Sequence, residues 1–125
     1  MTLLDLVWLV CSLLAVVTKY LDCRTTATKI AEHGGHGGEQ NPRARALMDR
    51  FGAEPVLWGT FAALVASLVL STLLWPWARS LPVIPYLALA GVWALALTQG
   101  AVAHTNHTGR LNVFTWLLAR LYRLR

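Results

Sequence analysis

Two long stretches of this chain carry no charge, and they restrict what it can fold into more than any other feature. Pro55 to Ala78 is 24 residues without Asp, Glu, Lys or Arg, and Ser80 to Gly109 is 30. Each exceeds the roughly 20 residues that an α-helix needs to cross a hydrocarbon core. A chain of 125 residues that is 56% hydrophobic and 14% charged cannot bury so much apolar surface in one small soluble core. A bilayer removes the difficulty.

A third span is expected at the beginning. Leu6 to Thr18 is only 13 uncharged residues, but Asp5 can sit among headgroups and Lys19 can snorkel, which extends the usable helix over 3–21. This stretch lacks a basic leader and a small-x-small cleavage site, so it is expected to stay as a membrane anchor. The expected architecture is therefore an all-α integral membrane protein, one membrane domain over 1–125, with spans near 3–21, 55–77 and 83–104.

Basic residues set the expected orientation. None precedes the first span, six lie between the first and second (Lys19, Arg24, Lys29, Arg43, Arg45, Arg50), one is at Arg79, and four follow the third (Arg110, Arg120, Arg123, Arg125). By the positive-inside rule the N-terminus lies outside the cytoplasmic membrane, and the long loop and the tail lie inside. Trp75, Trp77 and Tyr86 then fall at the outer rim, and Tyr20 and Trp58 at the inner one. The net charge of +5 sits at the ends of apolar runs, which points to anionic headgroups as its partner and not to nucleic acid.

The first cytoplasmic loop carries signals for a short surface helix over 42–51. Asn41 suits the cap, Pro42 the first position and Gly52 the end, while Ala44, Leu47, Met48 and Phe51 recur at helical spacing opposite Arg43, Asp49 and Arg50. The basic tail 110–125 is expected to extend the third helix into the inner headgroups. In the second span Gly59, Ala63, Ser67 and Ser71 recur every four residues, a face on which another helix can approach closely, within the chain or in a homo-oligomer or larger membrane-protein partner. Cys11 and Cys23 would lie about 18 Å apart on one helix, too far for a disulfide, and are expected to be free.

Four histidines come in two pairs of equal spacing, His33 with His36 and His104 with His107. Imidazoles three apart can share a metal ion, and both pairs are expected at the inner membrane face with Asp22 and Glu39. Such a set would suit a divalent metal such as Zn or Fe, with Glu39 or Asp22 as the candidate base of a metal-assisted hydrolysis. The same residues also read as loop and interface groups bonded to water and headgroups. A polar stripe at the end of the first helix (Lys19, Asp22, Thr26, Lys29, His33) is either a solvated face or, with Thr98 and Gln99, a pathway in an oligomeric channel or carrier. Asn106-His107-Thr108 fits a glycosylation sequon, but its expected inner placement leaves it without use. No nucleophile motif, phosphate loop, dinucleotide fingerprint or H-E-x-x-H pair occurs, so whether the chain is an enzyme stays open, and a non-catalytic accessory or scaffold subunit is the competing reading.

The run Asp22-Cys-Arg-Thr25-Thr26, followed by a glycine-rich step into Glu39-Gln-Asn41-Pro42, resembles a group of small prokaryotic three-helix membrane proteins of unassigned function. The resemblance covers Asp22 to Gly52, with Asn106 or Asn112 standing for a polar position in the last helix. It implies the three-helix architecture and marks Asp22, Thr25, Thr26, Glu39, Asn41 and Pro42. The histidine pairs fall outside its pattern.

Overall fold

The computed structural model describes residues 1–35, 37 and 41–123. They form five helices, α1 (Leu3–Glu32), α2 (Pro42–Phe51), α3 (Ala53–Ala78), α4 (Ile84–Thr108) and α5 (Val113–Arg123). Three of these, α1, α3 and α4, are long and apolar enough to cross a membrane, and the chain is a small all-helical membrane protein.

Local chemistry explains each boundary. Thr2 and Asp5 form a reciprocal capping box at the start of α1. Asn41 accepts from the amides of Arg43 and Ala44 to cap α2, with Pro42 at its first position. Gly52 ends α2 and begins α3 at φ +88°, a backbone state that favours glycine. Pro76 lies in the last turn of α3, and the connection to α4 is the five residues 79–83. Gly109 ends α4 in the left-handed region at φ +70°.

The first helix runs past the expected span of 3–21 and through the stripe at its end to Glu32, giving 30 residues and a length of about 45 Å, well beyond a hydrocarbon core of about 30 Å. The hydroxyls of Thr25 and Thr28 bond the carbonyls one turn earlier, so the threonine-rich stretch needs no water to hold its polar groups. The tail is helical as expected, but Gly109 turns the chain, so α5 is a separate helix and not a continuation of α4.

Helix α1 is the centre of the bundle. It packs antiparallel to α3, as Trp8 meets Thr72 and Cys23 meets Leu57, and parallel to α4, as Thr18 meets Gln99 and Thr26 meets Asn106. Helices α3 and α4 touch each other little. Near the α3–α4 connection the core consists of Trp8, Cys11, Ala15, Leu68, Trp75, Val92 and Ala96. Small side chains on α1 and α4 permit the close approach. A second cluster at the opposite end joins Cys23, Met48 and Leu57, and so fixes α2 against α1 and α3. Leu47 and Phe51 of α2 stay exposed. Both cysteines are free and buried.

Candidate functional site

Polar side chains gather at both ends of the bundle, and α1 positions them in each case. At the end formed by the start of α1 and the close of α3, the Asp5 carboxylate is the hub. The Arg79 guanidinium donates to both its oxygens at 3.0 and 2.9 Å, the Trp75 indole donates at 2.9 Å, and the Thr2 amide donates at 2.7 Å. Beneath it the Trp8 and Trp75 rings stack at 4.5 Å, and the Trp8 indole donates to the Thr72 hydroxyl. One guanidinium nitrogen, Nη1, straddles both carboxylate oxygens, and the arginine–carboxylate clamp rests on the stacked aromatic rings. It ties α1 to α3 and offers no unfilled acceptor to a substrate.

Sequence reasoning missed this clamp and treated Asp5 only as a headgroup residue. The signal was available once the topology was drawn, because Asp5 opens the first span and Arg79 closes the second, so the two opposite charges fall on one rim.

At the other end the bonds are mostly neutral. The Asn106 amide donates to Thr26 at 2.9 Å, and Thr18 faces Gln99 at 3.5 Å. Where the chain turns into α5, Asn112 donates to the Ala101 carbonyl at 2.7 Å and to Thr105 at 3.2 Å, and Thr105 and Thr115 hydroxyls meet at 2.9 Å. Asn112 and Thr115 also cap one another reciprocally through their backbone amides. The buried Cys23 thiol donates to the Leu57 carbonyl. Asp22 is paired with Lys19 on its own helix at 3.1 Å, both side chains being mostly covered.

These contacts place the residues singled out in the sequence. Thr26 and Asn106 come together; Thr25 bonds its own helix. The Thr98 hydroxyl bonds the Ala94 carbonyl, so it is not joined to the Asp22 stripe. His33 is exposed, with Nδ1 against the Lys29 carbonyl at 2.8 Å. His104 and His107 are exposed near the end of α4. Asp22 and His33 lie eleven residues apart on one continuous helix, about 16 Å by its rise, so no single ion is held by both. Among the described residues no group of three or more His, Cys, Asp or Glu side chains gathers where an ion could sit. His36 and Glu39 lie outside the described residues.

The small-residue face of the second span is also placed. Gly59, Ala63, Ser67 and Ser71 are all exposed, and a Cβ built on Gly59 would meet nothing within 4 Å. This face therefore packs against no other part of the described chain. The Ser67 and Ser71 hydroxyls bond the carbonyls of Ala63 and Ser67, which satisfies them within the helix.

Comparisons with protein-family models, with curated proteins and with solved structures find no match.

Proposed function

We propose that this chain is a non-catalytic subunit of the cytoplasmic membrane that works by lateral association of α3 with a further transmembrane helix, in a homo-oligomer or a larger membrane complex. The observation that carries this reading is the open face of Gly59, Ala63, Ser67 and Ser71. Helix packing in lipid depends on small residues that let backbones approach, and here those residues face outward while Leu57, Leu68 and Trp75 fill the contact with α1. The polar groups support it as well. Asp5 has its charge met across helices by Arg79 and Asp22 has its charge met within α1 by Lys19, so neither carboxylate stands free for a substrate. The basic-residue count supports an N-terminus outside, with α2 and α5 inside.

Cysteine crosslinking in native membranes tests the proposal. A cysteine at Ser67 is expected to form a defined adduct, with a second copy or with one other membrane protein, and a cysteine at the exposed Leu97 of α4 is not. Adding Gly59→Leu and Ala63→Leu should abolish the adduct. A Ser67→Cys protein that forms no adduct refutes lateral association through this face. Elemental analysis of the same preparations addresses the metal reading: less than one equivalent of metal is expected, and one equivalent lost on changing His104 and His107 to alanine would replace the present reading with a metal-binding one.

A further inference from the structure

Helix α5 carries its apolar side on the outside of the molecule. Asn112, Thr115 and Ala119, spaced three and four apart, form the side turned toward α4, where Thr115 is buried and bonded to Thr105. Val113, Phe114, Leu117 and Leu121 form the next side and are exposed, as are Leu111 and Trp116. A third side holds Trp116 and Arg120, one turn apart, with the guanidinium over the indole ring at 5.2 Å. A helix facing water would place these groups the other way round.

Charge identifies what covers the apolar side. No acidic residue follows Glu54, so Arg110, Arg120, Arg123 and Arg125 stand in a segment without an acidic side chain. Neither Arg110 nor Arg120 makes an ion pair with a described residue. The helix begins only five residues after a membrane span ends, and the Asn112 bonds to Ala101 and Thr105 hold its start beside α4. The same end of the bundle carries α2, where Arg50 lies over the exposed Phe51 ring at 5.0 Å in the same manner.

We infer that α5 is a built-in membrane-surface helix that docks on an anionic phospholipid leaflet, its Phe114–Leu117–Leu121 side sunk among the acyl chains and Arg110 and Arg120 at the phosphates. Bulky apolar groups on one side and arginines beside a tryptophan on the next are what such an interface requires. The turn at Gly109 gives the geometry, because a straight extension of α4 would carry the apolar residues away from the bilayer. The inference does not depend on how α3 associates.

Full-length protein in vesicles of phosphatidylcholine, with and without phosphatidylglycerol, tests it. Nitroxide labels are placed through Leu117→Cys or Arg120→Cys, both exposed positions, the native cysteines being buried. The label at 117 is expected to collide severalfold more often with oxygen than with a water-soluble nickel chelate, and the label at 120 to show much less of this preference. Spin-labelled phosphatidylglycerol should be enriched over phosphatidylcholine around the native chain. The enrichment should fall severalfold in Arg110→Gln/Arg120→Gln, up to about fivefold for each charge near an anionic surface, and also in high salt. Free access of the chelate to position 117 would overturn the inference. So would exclusion of both reagents from that position, which would mean a protein covers it, or an unchanged lipid preference in the arginine variant.

Discussion

The two ends of the bundle are held by different chemistry. At the Asp5 end one carboxylate joins α1 to α3 through a single guanidinium nitrogen of Arg79 and an indole, with two stacked tryptophans beneath. At the Asp22 end the charged pair stays within α1, and the bonds between helices are neutral, from Asn106 to Thr26 and from Asn112 to Ala101 and Thr105. The difference follows the partners. Antiparallel α1 and α3 are joined by a charged clamp at one rim and only by Cys23 and Leu57 at the other, whereas parallel α1 and α4 meet over a long line, where modest bonds and small residues suffice. An aspartate near a membrane interface thus has two fates in this chain, an interhelical hub or a locally settled charge, and sequence position alone does not separate them.

Removing the aromatic floor of the clamp is the most damaging way to break this contrast. Trp75→Ala deletes a buried ring, its stack with Trp8 and its bond to Asp5, and should cost about 3 kcal/mol or more in steric-trap or denaturant unfolding. Asp5→Asn should come next, lowering the thermal midpoint in detergent; adding Arg79→Gln should cost little more, since the pair is already broken. Fully additive effects of the two changes would show that the clamp contributes nothing as a unit. The smallest effect is expected from Thr26→Val with Asn106→Leu, whose double-mutant coupling should be about 0.6 kcal/mol, the usual size of such a bond between membrane helices. A coupling as large as the loss in Trp75→Ala would reverse the ranking of the two ends.

The polar seam was only partly legible in advance. Asp22, Thr25 and Thr26 stood out as unusual residues at the end of an apolar helix, and two of the three proved to bond within α1. Only Thr26 reaches across, because only the packing of α4 could say which of three neighbouring positions faces Asn106. The histidine pairs show the same limit. Spacing places His104 and His107 one turn apart, but whether Asp22 can join His33 depends on α1 remaining one continuous helix to Glu32, which separates them by about 16 Å.

By itself the sequence determined the three membrane spans, the helix over 42–51 and its Asn41 cap, the turn at Gly52 and the small-residue face of α3. These follow from charge-free length, capping chemistry, glycine's freedom to end a helix and a four-residue period, all properties of neighbouring residues along the chain. The tertiary structure alone decided that α1 is the central helix, that Asp5 binds Arg79, that the small face of α3 looks outward and that α5 turns its apolar side away from the bundle. Periodicity tells which residues share a face, but which face is covered depends on the relative rotation of packed helices, and that is set by side chains far apart in the sequence.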